Sequence, residues 1–251
     1  PDAVEIVTRR NAGSQLVEGL QAIEITDLAV TVHGLVKGDV TEEYLVSDPT
    51  NDDPYDGGFD PLVDGTFYVT LDAPAGTKRL IAETIFSESS DLDLFVGSGS
   101  TPGAGSQLCA STSPTAIEYC ELADPAPGTY WVLVQNWSGE YGPLPPGQLS
   151  TLVTAVVPEA DSGNMSVAGP SSVPANEPFD VRVFWDTPSM AAGDHWHRAS
   201  DIGSDPGNPG NIGSVPVTIL RVEDDVSKAV DMTVAEPGDS RDNVSGEDFI
   251  L

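Results

Sequence analysis

The chain has 251 residues, with 10 basic and 40 acidic side chains and a formal net charge of −30. So acidic a surface repels phosphate backbones and anionic headgroups, which argues against nucleic acid as a partner. No run approaches the ~18 apolar residues of a membrane span, which argues against membrane insertion. Gly and Pro contribute 25 and 21 residues, a turn-rich composition that argues against a helical bundle. The opening PDAVEIVTRR has no apolar signal-peptide core, so the signal has been removed or the chain is an internal piece of a longer one.

Residues 1–42 hold a strand or two and one helical pattern, Ser14 to Glu24, with Leu16, Leu20 and Ile23 at i, i+4 and i+7. Gly19 weakens that pattern. This is too little for a core, so the segment reads as the end of a preceding domain or a linking strap. Residues 43–158 hold a run of strands with period-2 patterns. Phe67, Val69 and Leu71 share one face, as do Leu92, Leu94 and Val96, and Tyr130, Val132 and Val134. Val157 to Gly163 reads as a linker. Residues 159–251 hold a second strand set, in which Phe179, Val181, Val183 and Trp185 alternate with Asp180, Arg182 and Phe184. Its opening, Pro170 to Phe179, reads as edge strand, turn and core strand, as immunoglobulin-like domains begin. The stretch Glu236 to Glu247 is polar and reads as a loose tail. The fold class is therefore all-β, with two β-sandwich domains.

Cys109 and Cys120 are eleven apart, a spacing that suits a disulfide between neighbouring antiparallel strands in an exported protein. The stretch 48–65 carries six carboxylates, Asp48, Asp52, Asp53, Asp56, Asp60 and Asp64. Pro54, Gly57, Gly58 and Pro61 keep it out of a helix. Calcium takes about six to eight oxygens in irregular geometry, so this is a candidate calcium loop as well as a plain solvated one. Asp91 and Asp93 share a strand face and form a second acidic pair. His195 and His197, at i and i+2, fit either a metal pair or a solvent-facing strand around Trp196. Trp137, Tyr141 and Trp196 are candidates for stacking on a protein or sugar ligand.

Two segments carry a family resemblance. Ser90-Asp91-Leu92-Asp93-Leu94-Phe95-Val96 and Pro127-Gly128-Thr129-Tyr130-Trp131-Val132-Leu133-Val134 resemble the D-x-D-L and P-x-G-x-Y strands of the bacterial pre-peptidase C-terminal domain. The second fits with Pro125 as its proline and a one-residue offset, and the likeness spans about residues 45–157. Arg9–Ser14, Asp48–Tyr55 and Asn208–Gly213 resemble the C-terminal region of large secreted subtilisin-like serine proteases. There a fibronectin-like domain precedes the pre-peptidase domain, and an immunoglobulin-like domain comes after it.

The resemblance implies a jelly-roll-like sandwich over 43–158 and an immunoglobulin-like one over 159–251, with 1–42 ending a fibronectin-like domain or strapping onto the sandwich after it. It implies calcium as cofactor, a location outside the cell or on its surface, and the parent protease's catalytic domain as partner. It also implies accessory duty in secretion, maturation or the binding of a protein or polysaccharide substrate. The alternative is a cell-surface or matrix-binding module, an adhesin or surface-layer element, with no part in proteolysis. No catalytic residue is expected in this chain. His33-Gly34, Asp161-Ser162-Gly163 and Ser189-Met190-Ala191 imitate a serine-protease triad. Their order is His, Asp, Ser, and Pro188 and Gly193 bracket Ser189 where a nucleophile helix would start.

Overall fold

The computed structural model describes residues 4–50, 53–138 and 147–223. The expected loose tail at Glu236–Glu247, Asp52 and Tyr141 lie outside the described residues. The first segment forms β1 (Val4–Thr8), β2 (Ala12–Leu20) and β3 (Ala29–Lys37). The middle segment forms β4 (Asp39–Leu45), β5 (Thr66–Ala73), β6 (Thr77–Ser87), β7 (Asp93–Ser98), β8 (Gln107–Ser111), β9 (Tyr119–Ala123), β10 (Gly128–Gln135) and β11 (Gln148–Pro158). The last segment forms β12 (Met165–Ala168), β13 (Phe179–Asp186), β14 (His195–Gly203) and β15 (Gly213–Arg221). The described chain is all-β, with one short 3-10 turn at Ala104–Ser106. None of its helices is long and apolar enough to cross a membrane.

The middle segment is one sandwich of two four-stranded sheets, β5-β10-β7-β8 and β4-β11-β6-β9. Period-2 alternation decides its core. Phe67, Leu94, Val96, Tyr130, Val132 and Val134 of one sheet meet Leu80, Ala82 and Leu152 of the other. Cys109 and Cys120 are bonded, with Cα atoms 6.0 Å apart. They are not neighbours in one sheet: β8 and β9 are edge strands of opposite sheets, so the bridge ties the two sheets together along one side. In the chain-entropy model a ~10-residue loop contributes about 3 kcal/mol. The double variant Cys109→Ser with Cys120→Ser should therefore melt roughly 5–10 °C lower, read by circular dichroism.

The remaining strands form a second sandwich, from sheets β1-β15-β14-β3 and β12-β13-β2. Residues 4–37 thus contribute β1, β2 and β3 to this second sandwich rather than only leading into the middle segment. β1 runs parallel to β15, and β2 pairs with β13, over the full sequence separation. The segment 39–158 is inserted between β3 and β12 of this second body. The helix expected at Ser14–Glu24 is strand β2. Val17 and Leu20 lie opposite Val181 and Phe179, while Ile23, the last member of the helical stripe, is exposed. Gly19 has φ of 71° and sits at the register shift between Phe179 and Val181, where its N–H donates to Asp180 Oδ1 at 3.0 Å. A bulge of this kind takes glycine because a Cβ is disfavoured at that φ.

The two sandwiches pack on each other. Ile81, Ala155 and Val157 of the middle segment cluster with Val36 of β3. The expected linker is bonded to β3: Gly34 N–H donates to Ala160 O, and Ser162 N–H donates to Gly34 O. Central strands β6 and β11 therefore bury both faces, one in their own core and one in the seam.

Candidate functional site

The alternation that sends Leu94, Val96, Val132 and Val134 inward sends Asp93, Phe95, Trp131, Leu133 and Gln135 to the outer face of the β5-β10-β7-β8 sheet. Tyr55 and Phe59 of the acidic stretch lie over this face. Tyr55 has its ring centroid 6.0 Å from Phe95 and from Trp131, and Phe59 stacks edge-on against Tyr68 at 5.3 Å. Such tilted and T-shaped aromatic pairs follow from the ring quadrupoles. Phe59 has φ of 59°, a conformation disfavoured for a bulky side chain and held here by this packing. The Tyr55 hydroxyl donates to Gln107 Oε1 at 2.6 Å. Burial, and then Asp53, push that phenol up to about 12.

The stretch is ordered by its own carboxylates. Asp48, buried, accepts from Thr50 N–H at 2.8 Å and from Gln135 Nε2 at 2.7 Å. Asp53 accepts from Tyr55 N–H, Asp60 from Leu62 N–H, and Asp56 from the Thr50 hydroxyl. Asp64 Oδ2 accepts from the N–H groups of Gly58 and Asp60 at 2.7 and 3.0 Å. The bonds to the N–H groups of Thr50, Tyr55 and Leu62 are Asx turns spanning two residues, those of Asp56 and Asp64 close wider turns of four to six, and that of Asp48 to Gln135 ties the stretch to β10. Among the described residues no group of three or more His, Cys, Asp or Glu side chains is placed to hold a metal ion.

At its polar end the outer face opens into a cleft of about 490 Å³, lined by Pro54, Asp91, Asp93, Phe95, Pro114, Gln135 and Trp137, with Thr112 and Ser113 at one side. Asp93 is only 9% exposed and has no hydrogen-bond partner among the described residues. Asp91 Oδ1 is buried and also has none. Burial, then the charges of Asp91 and Glu118, push the Asp93 carboxyl up to about 7. Burial and Glu118 raise Asp91 as well. Glu118 differs from both, since it accepts from Ser113 N–H at 3.0 Å and from the hydroxyls of Ser111 and Ser113. Trp137 is 43% exposed at the cleft. Its neighbours fix it: the Ser89 hydroxyl lies 2.7 Å from Asn136 Oδ1 and 2.8 Å from Ser138 Oγ.

The structure thus brings three of the residues expected from the sequence, Asp91, Asp93 and Trp137, into one cleft. Trp196 does not join them. It is buried among Met165, Trp185 and Val217 in the core of the second sandwich, and its indole N–H donates to Asp194 Oδ2. Nor is the strand around it solvent-facing. His197 is fully buried and His195 largely so, both turned toward Glu83 of β6 across the seam. His195 Nδ1 is 2.7 Å from Glu83 Oε1. Burial holds the His197 imidazole down, at about 4.

Sequence reasoning missed the rest of this seam. Arg79 of β6 is 2% exposed. Its guanidinium grips Glu121 with two bonds, Nε to Oε1 at 2.6 Å and Nη2 to Oε2 at 3.0 Å. Nη2 also donates to the Tyr119 hydroxyl, and Nη1 donates to the Arg198 and Val217 carbonyls of the other sandwich. Arg198 is buried, and none of its side-chain nitrogens has a hydrogen-bond partner. Burial lowers it to about 10. The available signal was an arginine inside an apolar strand of a chain with only 10 basic residues.

Two of the triad-like fragments are tied into hydrogen bonds. His33 places Nδ1 2.7 Å from Glu159 O and Nε2 2.9 Å from Asp201 Oδ2, so neither ring nitrogen is left to activate a hydroxyl. Asp161 accepts from Gly163 N–H in a turn, and Ser189 is exposed after β13.

No protein-family model matches the chain, and no curated protein matches it. Among solved structures the chain is similar to PliG of Aeromonas hydrophila, a periplasmic inhibitor of g-type lysozyme. That likeness has 15% identity over 62% of this chain and 96% of that one, at a TM-score of 0.29. A likeness that slight carries no functional inference.

Proposed function

We propose that this chain is a non-catalytic accessory region of a secreted subtilisin-like serine protease, and that it binds substrate for the parent enzyme. One observation carries the reading. The two strands that resemble the pre-peptidase domain, β7 and β10, pair antiparallel from Tyr130–Ser98 to Gln135–Asp93, and their shared outer face opens into the cleft. A site on paired strands of a disulfide-tied sandwich is held more firmly than one on loops alone. A net charge of −30 favours encounter with cationic segments of a substrate.

The test compares the parent protease with and without these 251 residues, on an intact protein substrate and on a chromogenic tetrapeptide. Removal should lower kcat/KM on the protein about tenfold, equivalent to ~1.4 kcal/mol of lost binding. It should leave the tetrapeptide rate unchanged, and the chain alone should cleave neither. Equal kcat/KM on the protein with and without the region would contradict the reading, as would turnover by the chain above that of its Ser189→Ala variant.

A further inference from the structure

The ligand class of the cleft depends on which of its groups lack partners, and it makes the substrate-binding reading, on which it rests, specific. Among the described residues Asp93 is nine-tenths buried with no hydrogen bond to its carboxylate, and Asp91 contributes a buried oxygen, Oδ1, with no partner. Two carboxylates held this way repel each other and lack the hydrogen bonds that normally accompany burial. Both costs disappear when a positive group with several N–H donors enters.

We infer that the cleft takes the guanidinium group of an arginine side chain on a protein partner, held by Asp91 and Asp93 and flanked by Trp137. A neutral sugar would stack on Trp137 and leave the two carboxylates in mutual repulsion. Among the described residues no group of three or more His, Cys, Asp or Glu side chains is placed to hold a metal ion, and Glu118, the nearby third carboxylate, is already bonded by Ser111 and Ser113. A guanidinium fits on three counts. It presents a planar fork of donors to carboxylates, it is weakly hydrated, and it stacks on aromatic faces. Phe95, Pro54 and Pro114 supply apolar lining for its alkyl stem.

The experiment titrates the 251-residue chain with four probes: the capped tripeptide Gly-Arg-Gly, its citrulline and lysine counterparts, and calcium chloride. Citrulline keeps the shape and removes the charge. The arginyl peptide should bind at least about tenfold tighter than the citrullinyl one, and the lysyl peptide should fall between them. Asp93→Asn and Asp91→Asn should each weaken the arginyl peptide about tenfold or more, and Trp137→Ala should weaken it several-fold. Glu177→Gln, the same charge change on an exposed turn of the other sandwich, should leave it unchanged. Equal binding of the citrullinyl peptide overturns the inference. So does full affinity in Asp91→Asn and Asp93→Asn variants that still melt cooperatively. Calcium binding abolished by Asp93→Asn, without arginyl binding, overturns it in favour of a metal ion. Failure here leaves the accessory reading standing, because that reading is tested by removing the whole region from the parent.

Discussion

Replacing Arg79 with alanine should lower the stability of the chain by about 3–5 kcal/mol, and its melting point by roughly 10 °C. The cost comes from what the substitution leaves behind. Glu121 loses both bonds of its fork, and the Arg198 and Val217 carbonyls lose the donor that reaches them across the seam. Breaking a buried ion pair from one side strands the other charge, and that exceeds what the intact pair contributes. Arg79→Lys should recover only part of the loss, because one ammonium cannot replace a fork that serves a carboxylate and two carbonyls. The effect has a pH signature. Burial pushes the Glu121 carboxyl up, and the Arg79 bonds pull it down further, so it ends below the ordinary carboxylate range. A depressed carboxyl stabilises the folded state above its unfolded value of about 4, and that stabilisation fades as pH falls through the folded value. Urea titrations should therefore show the full gap between wild type and Arg79→Ala near neutral pH and a smaller one in acid. A gap under about 1 kcal/mol at neutral pH would mean that the seam does not depend on this residue.

Replacing Asp93 with asparagine should do the opposite and raise stability at alkaline pH. Burial and the charges of Asp91 and Glu118 hold the folded-state carboxyl well above its ordinary 3.8, at about 7. A raised carboxyl favours the folded state fully below about pH 4, and that contribution is lost as pH climbs to about 7. With solvent screening taken into account, the ionised form costs on the order of 2–4 kcal/mol above that point. Asparagine keeps the shape and removes the charge. Its variant should be about 2–4 kcal/mol more stable than wild type above pH 7, melt several degrees higher, and lose the advantage near pH 4. A variant less stable than wild type at alkaline pH would mean that the carboxylate has a partner stabilising its charged form. A ligand site that costs stability in the empty state is common where function requires unpartnered charge.

The fold class was legible because period 2 is a local property. Leu94 and Val96, Tyr130 to Val134, and Phe179 to Trp185 announce their faces from spacing alone. Strand partners were not legible, since β1 meets β15 by a pairing that no local pattern encodes. The insertion of 39–158 into the second sandwich was therefore invisible, and so was the seam. Trp196 shows the same limit from another side. On β14 both faces are buried, one in the second core and one in the seam, so alternation could not say that its indole is covered. The acidic stretch was read by composition, whereas its fold is set by turn bonds such as those of Asp64 to Gly58 and Asp60. Asp91, Asp93 and Trp137 were each visible. Their convergence was not, because it depends on which way Trp137 turns once Asn136 and Ser138 are fixed by Ser89.

The most direct test of the cleft is the indole N–H region of a proton–nitrogen NMR spectrum. The chain has four tryptophans, so their indole resonances can be followed one by one: Trp131 donates to Ser98 O and Ser106 Oγ, Trp185 to Arg10 O, and Trp196 to Asp194 Oδ2. Trp137 stands at the cleft. Adding the arginyl tripeptide should move the Trp137 resonance in a saturable way and leave Trp185 and Trp196, in the second sandwich, where they are. A stationary Trp137 signal, or a saturable shift at Trp185 or Trp196 instead, would place the binding site elsewhere on the molecule and contradict the account.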